Sequence, residues 1–170
     1  MLKSGWKKEL EKTEMTDFVF VDGGEYDDDF YISKELITNA QFCEFLNDNN
    51  DKYHDYQQKI VIKEGKYIPE EGSEDLPVID VSFFAAKNYA KWKSKIEGRN
   101  YRLPTVNEYK RSGFSRKSNL WEWTKDKWEN SVELRIIILL CNQTSITATD
   151  YRMLSFRDFN LGFRLAADAF

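Results

Sequence analysis

GRNYRLPTVNE, residues 98–108, contains the end of one helix, a short strand and the start of the next helix. Gly98 predicts a helix stop, because glycine adopts the left-handed backbone of a helix end without steric cost. Tyr101-Arg102-Leu103 predicts a short strand. Thr105 and Glu108 then have the spacing of a capping box, which starts a helix. Together with the helices and strands predicted along the rest of the chain, these elements predict a single α+β domain.

Two further helices are predicted on the N-terminal side of this stretch. Thr38 and Gln41 form another capping box, and the apolar residues Phe42, Phe45 and Leu46 follow at helical spacing. A hydroxyl cap at Ser82 opens the helix that Gly98 ends.

Strands are predicted in three other places. Phe18 to Val21 is apolar and is followed by the Gly23-Gly24 turn. Lys59 to Pro69 alternates around Glu64-Gly65, which is typical of a β-hairpin. The chain from Trp121 onward predicts strands and loops.

Size and charge exclude several classes of function. With 170 residues the chain can bury the core of one domain. A net charge of -4 without a Lys/Arg stripe argues against nucleic acid as a partner. The longest apolar run, 136–140, is too short to span a membrane, and the start of the chain lacks a signal-peptide pattern. These features are compatible with a cytoplasmic or a virion-associated location.

The chain has only two cysteines, Cys43 and Cys141. They could form a disulfide, but two buried thiols are the favoured interpretation, since free cysteine is among the most buried residue types.

Five segments, in order, carry a resemblance to a known family. They are GG (23–24) with YISKE (31–35) and TNAQF (38–42), PV (77–78) with VSF (81–83) and the helix to Trp92, YRLPT (101–105) with EY (108–109), NLWEWT (119–124), and GFRLA (162–166). Together they resemble the formylglycine-generating enzymes, also called sulfatase-modifying factors. The resemblance implies a C-type-lectin-like fold, with residues 1–17 as an N-terminal arm and 18–170 as the domain.

The resemblance also indicates where the chain departs from the enzymes. Those enzymes bind Cu(I) through two cysteines about five residues apart, since soft thiolates suit this ion. Counted from the family's motifs, Cys141 matches the first cysteine and Ile146 occupies the second position. Isoleucine cannot bind a metal, so the resemblance argues against copper and against oxidase activity.

A calcium site is a second expectation that comes from the family. Asn119 and Glu122 match positions that bind calcium in the enzymes, through side-chain oxygens. The loop before them is short here, so structural hydrogen bonding is the favoured alternative. Trp121 and Trp123 could stack on a sugar, but their place in a scaffold motif favours packing in the core.

The C-terminal part of the chain has an unusual composition. Lysine does not occur after Lys127, tryptophan after Trp128, or glutamate after Glu133. From residue 134 onward there is one glutamine and one methionine. Burial would remove lysine and glutamate from strands, and it explains the apolar run 136–140. Burial does not explain the polar stretches that follow that run.

This composition resembles that of the variable proteins of diversity-generating retroelements, which share the C-type-lectin-like fold. In these proteins the asparagine codons of a C-terminal segment are rewritten at their first two bases, which cannot yield Lys, Glu, Gln, Met or Trp. The resemblance implies that 134–160 is a variable region whose exposed side chains bind a protein or other macromolecular ligand. The candidate contact residues are Ile136, Ile138, Cys141, Asn142, Thr144, Ser145, Ile146, Asp150, Tyr151, Ser155 and Arg157.

The sequence therefore predicts a ligand-binding protein without catalytic residues. The alternative is a diverged sulfatase-modifying-factor-like oxidase, or an inactive relative of one.

Overall fold

The computed structural model of the protein describes residues 15–25, 27–49, 59–113, 120–127, 135–141 and 146–169. For 135–141, 146–149 and 151 the description is of the backbone. Within these ranges no helix is both long and apolar enough to cross a bilayer.

The described helices begin at the hydroxyl caps that the sequence predicts. They are α1 (Asn39–Asp48), α2 (Phe83–Glu97) and α3 (Val106–Ser112). Thr38 and Thr105 each form a complete capping box, and the Ser82 hydroxyl accepts a hydrogen bond from the backbone N–H of Ala85 at 3.2 Å. Gly98 ends α2 in the left-handed conformation, with φ of 65°. These predictions are confirmed.

The first sheet brings together strands from both ends of the chain. Its strands are β1 (Phe18–Val21), β2 (Phe30–Ser33), β5 (Tyr101–Arg102) and β10 (Ala166–Asp168), in the order β1-β2-β10-β5 and antiparallel throughout. Gly23 lies in the turn after β1, where a Cβ would come within 1.9 Å of the Asp27 carbonyl oxygen. Only glycine fits there, which explains why this turn begins with glycine.

The predicted hairpin is also present. β3 (Ile60–Lys63) and β4 (Lys66–Pro69) pair around Glu64 and Gly65, which both have positive φ angles. This is the geometry of the tight two-residue turn that matches strand twist. Asn47 of α1 holds the hairpin, because its side chain exchanges two hydrogen bonds of 2.9 Å with the backbone of Tyr67.

The second four-stranded sheet is built from strands between residues 121 and 162. It consists of β6 (Trp121–Lys127), β7 (Arg135–Cys141), β8 (Ile146–Met153) and β9 (Leu161–Gly162), in the order β8-β7-β6-β9. β6 pairs with β9 in parallel, and the other pairs are antiparallel. The prediction of strands after Trp121 is confirmed.

Aromatic rings fill the core between the helices and the sheets. Phe42 and Phe45 of α1 pack against Tyr89 of α2, and Phe163 contacts both Phe42 and Tyr89. Trp123 is fully buried and donates a hydrogen bond to the Val81 carbonyl at 2.8 Å. The burial predicted for the α1 face is confirmed.

Two features of the N-terminal half add to the sequence-based interpretation. Met15 belongs to the core, and the backbone N–H of Lys34 donates to the Asp17 carbonyl at 2.8 Å, so 15–17 of the predicted arm pack on the domain. Cys43 is a free, buried thiol, as the favoured interpretation expected. Burial raises the pKa of this thiol to about 12.

We expect Thr38→Ala to lower the free energy of unfolding by about 1 kcal/mol, because the backbone N–H of Gln41 loses its hydroxyl acceptor. Thr38→Ser keeps the hydroxyl and should lose only a small part of this. Urea unfolding of both variants measures the difference. Equal losses would show that the threonine methyl group, and not the cap, stabilises α1.

Candidate functional site

The structure places most of the predicted contact residues on β7, on β8 and in the segment that follows β8. Ile136, Ile138 and Cys141 lie on β7, Ile146, Asp150 and Tyr151 on β8, and Ser155 and Arg157 in the following segment, whereas Asn142, Thr144 and Ser145 lie outside the described residues. The described residues on β7 and β8 thus lie on two neighbouring strands at one edge of the sheet, and Ser155 and Arg157 follow β8.

The register shows how these strands connect to the rest of the protein. β7 lies between β6 and β8, so Ile138 is opposite Trp123 on one side and Asp150 on the other. Ile136 is opposite Lys127 and Arg152. β8 is the edge strand of the sheet as far as the chain is described. A partner that approaches this edge of the sheet would contact β8 first.

Residues 153–160 alternate between exposed and half-buried side chains. Ser155 and Arg157 are exposed, as predicted, and Leu154 and Phe156 between them pack against the core. Two further exposed residues, Met153 at 49% and Phe159 at 65% exposure, are not among the predicted contact residues. The same alternation could have identified both of them.

Asp158 holds this segment in place. Its carbonyl oxygen accepts hydrogen bonds from the backbone N–H groups of Asp80 at 3.1 Å and Leu161 at 3.0 Å. Its carboxylate accepts a further one from the N–H of Asn160 at 3.1 Å. The exposed side chains are therefore presented on a fixed backbone, which lowers the entropic cost of binding a partner.

A small charged cluster lies beside this segment. Arg152 forms an ion pair with Asp150 at 2.5 Å, and its guanidinium lies 4.9 Å from the centroid of the Phe156 ring. Cation–π contacts of this kind are favourable even at partly exposed sites. Asp150, a predicted contact residue, is half-buried, and its carboxylate pairs with Arg152 of the same strand.

Glu122 of β6, the strand that pairs with β7, forms a buried ion pair with Arg164. Both side chains have 0% exposure, and the guanidinium donates from Nε at 2.6 Å and from Nη2 at 2.8 Å to the two carboxylate oxygens. Tyr109 of α3 donates its hydroxyl hydrogen to the same carboxylate, and the Arg164 guanidinium lies over the Tyr109 ring. Nη1 of Arg164 donates to the Ser33 carbonyl at 3.0 Å.

Burial alone would lower the pKa of Arg164, but the carboxylate of Glu122 and the hydroxyl of Tyr109 raise it above its ordinary value. The guanidinium is therefore charged at any pH at which the protein is folded. A buried charge that has its counter-ion and its hydrogen bonds is tolerated, whereas one that loses either is costly.

Glu122 was also one of the two predicted calcium ligands. Both of its carboxylate oxygens accept hydrogen bonds from Arg164, and one of them also accepts from Tyr109. This is the structural hydrogen bonding that the sequence analysis set against a metal. Asn119 lies outside the described residues, so calcium at this pair stays a prediction.

Trp123 packs in the core, as the sequence analysis favoured over a sugar platform, and Trp121 is half-buried against the same core. Among the described residues no three His, Cys, Asp or Glu side chains are grouped as metal ligands would be.

Cys141 and Ile146, which the family resemblance makes the expected counterparts of the two copper-binding cysteines, are directly opposite each other across β7 and β8. Two thiolates at such a pair of positions would suit Cu(I), but isoleucine supplies no donor atom. The remaining cysteine, Cys43, is 4% exposed in the core, and its raised pKa keeps it a neutral thiol. The residues at this position therefore do not fit a two-thiolate copper site.

Comparison with known proteins identifies the architecture. Residues 6–118 match the family model described as the sulfatase-modifying factor enzyme 1-like domain. A search of curated proteins gave no match.

Solved structures with a similar fold include the following two. One is the crystal structure of CarF, with a TM-score of 0.64 and 14% identity over 91% of this chain and 95% of that one. The other is PvdO from Pseudomonas aeruginosa, with a TM-score of 0.61 and 17% identity over 89% and 91%. The expected C-type-lectin-like α+β fold is confirmed.

We expect Glu122→Gln to lower the free energy of unfolding by about 3–5 kcal/mol, because it leaves the Arg164 guanidinium buried without its counter-ion. The matched control is Glu70→Gln, which breaks the 3.0 Å ion pair with Lys59, where both side chains are about half exposed. Its cost should stay below about 1 kcal/mol. Urea unfolding measures both.

A milder variant covers the case in which Glu122→Gln does not fold. Tyr109→Phe removes one hydrogen bond to the buried carboxylate and should cost about 1–3 kcal/mol. If Glu122→Gln or Tyr109→Phe costs no more than Glu70→Gln, the buried pair does not support the fold as described.

Proposed function

The chain belongs to the family of sulfatase-modifying factor enzyme 1-like domains, and on that premise we propose that it is a ligand-binding member and not a working oxidase. It resembles the variable proteins of diversity-generating retroelements, and its ligand is a protein or other macromolecule that contacts the C-terminal face. That face consists of β7, β8 and residues 154–160.

The observation that carries the proposal is that the buried ion pair and its hydrogen-bond partner lie outside the proposed contact face. Glu122, Tyr109 and Arg164 all lie outside residues 134–160. Among the side chains described within that region, 150 and 152–160, none belongs to the buried core. Exposed side chains there can change without breaking the ion pair or opening a cavity. A diversified binding surface has this requirement.

The chemistry of the described part of the face supports binding. Arg157, Phe159 and Met153 are exposed, and aromatic residues, arginine and methionine are enriched in protein interfaces. Ser155 lies between them and can adapt its hydrogen bonds to different partners. The hydrogen bonds of Asp158 keep the backbone fixed, so binding a partner costs little conformational entropy.

The alternative function, a diverged copper-dependent oxidase, is favoured by the family relationship alone. The pairing of Cys141 with Ile146 argues against it, because the second thiolate is missing where the register would place it. Cys43 cannot substitute for that thiolate without leaving the core.

We expect the gene, sequenced from many related isolates, to have its amino-acid substitutions concentrated in codons 134–160. The first 130 codons are the internal control and should be nearly invariant, as should Arg164. The new residues should not include Lys, Glu, Gln, Met or Trp, since rewritten asparagine codons cannot encode them. Substitutions spread evenly along the gene would overturn the variable-protein part of the proposal.

Copper binding separates the two candidate functions. Under anaerobic competition with a Cu(I) chelator, the wild-type protein should form no stoichiometric Cu(I) complex. Ile146→Cys should form a 1:1 complex, since it places a second thiol opposite Cys141. The control, Ile146→Cys with Cys141→Ser, should lose it. Copper-dependent oxygen consumption by the wild type with a cysteine-containing peptide would contradict the proposal and favour the oxidase.

A further inference from the structure

Two pairs of lysines, far apart in the sequence, line one cleft. Lys87 and Lys91 are one helical turn apart on α2, and Lys125 and Lys127 are two residues apart on β6. These spacings put each pair on one face of its element. All four side chains are exposed, and the cleft that they line has a volume of about 460 Å³.

The remaining lining of the cleft is largely apolar. It includes the buried side chains of Phe83, Ala90 and Leu103, together with Phe84, which is half-exposed, and Leu154. A volume of roughly 300–1,000 Å³ with apolar walls and a few polar groups is typical of small-molecule sites. The cleft thus combines an apolar floor with a cationic rim.

The structure fixes the walls of the cleft relative to one another. The backbone N–H of Lys125 donates to the Pro104 carbonyl at 2.9 Å, which connects β6 to the loop after β5. Asp126, between the two lysines of β6, accepts a hydrogen bond of 2.6 Å from the backbone N–H of Val106 at the start of α3. Its carboxylate is engaged there, on the opposite side of the strand from its neighbours.

Among the described residues the positive charge of the rim is only partly compensated, by the attraction between Lys125 and Glu108. Arg102 also lines the cleft, and it binds Glu108 through two hydrogen bonds of 2.9 and 2.6 Å and Asp168 through one of 2.8 Å. Both carboxylates are therefore occupied by Arg102. Within the described part of the chain no ion pair involves any of the four lysines. This cluster contrasts with the net charge of -4 of the whole chain.

We propose that this cleft binds a small amphipathic anion, namely a carboxylate, sulfonate or phosphate ester on an alkyl or aryl body. The lysines at the rim bind the head, and Phe84 and Leu154 cover the apolar body. An inorganic ion would leave the apolar floor unused, and a polyanion such as nucleic acid would need a longer basic track. The charged part of the cleft does not depend on the proposed function, because the four lysines and Phe84 precede residue 134; Leu154 is the one described lining residue that it shares with the C-terminal face.

Decanoate, below its micellar concentration, is the first probe, and its binding is measured by isothermal titration calorimetry. We expect saturable 1:1 binding that Lys125→Gln with Lys127→Gln weakens about tenfold or more, since two of the four charges are lost. Lys63→Gln with Lys66→Gln is the matched control. It removes two exposed lysines from the β3–β4 hairpin, outside the cleft, and should leave the affinity unchanged.

Two comparison ligands separate the head from the body. Decanol, which lacks the charge, and inorganic phosphate, which lacks the apolar body, should each bind much more weakly than decanoate. Phe84→Ser should weaken decanoate binding without changing the binding of phosphate. Phenyl phosphate distinguishes an aryl ligand from a fatty-acid-like one, since the better of the two probes identifies the body that the cleft prefers.

The proposal is overturned if decanoate does not bind or if both double variants weaken it equally. It is also overturned if inorganic phosphate binds as tightly as decanoate. A glutamate-rich peptide or a short oligonucleotide that binds the same lysines more tightly than either amphipathic probe would assign the cleft to a macromolecule instead.

Discussion

The ion pair between Arg164 and Glu122 connects the two four-stranded sheets. Glu122 belongs to the second sheet, and the Ser33 carbonyl that Arg164 also binds belongs to β2 of the first. Arg164 itself lies between β9 and β10, where the chain crosses from one sheet to the other. An arginine buried there must keep the Glu122 carboxylate, the backbone carbonyl acceptors and Tyr109 as partners. A buried charge that lacks its counter-ion lowers the free energy of unfolding by several kcal/mol. A similar packing of the two sheets with another register would not satisfy it.

The close approach at Gly162 follows from the same arrangement. A Cβ at this position would lie 2.8 Å from the Leu36 side chain and 3.0 Å from the Val78 carbonyl oxygen, so a larger residue would require these neighbours to shift. Phe163 then enters the aromatic cluster, and Arg164 reaches the carboxylate. Consecutive residues of one short motif thus supply a close backbone contact, a core side chain and the buried charge.

The sequence predicts the local features of this fold well and the long-range ones poorly. The caps at Thr38 and Thr105 and the stop at Gly98 depend on contacts within a few residues, so their patterns are visible in the sequence. Glu122 and Arg164 are 42 residues apart, and neither residue type indicates a buried pair by itself. The lysine cluster was missed for the same reason, because a search for a contiguous basic stripe cannot find two pairs that the fold brings together. Phe159 was not predicted as an exposed contact residue, although it continues the every-second-residue spacing of Ser155 and Arg157.

The end of the β7–β8 hairpin connects the family's chemistry with the proposed function. Cys141 and Ile146 are opposite each other, so a two-thiolate metal site at these positions would constrain both residues. Isoleucine at one of them supplies no metal ligand. The ion pair and the aromatic cluster, which hold the sheets, include none of the described side chains of 134–160. On the proposed function, loss of the second thiolate and diversification of the face are therefore linked, because a segment released from metal binding can change its side chains while the scaffold remains intact.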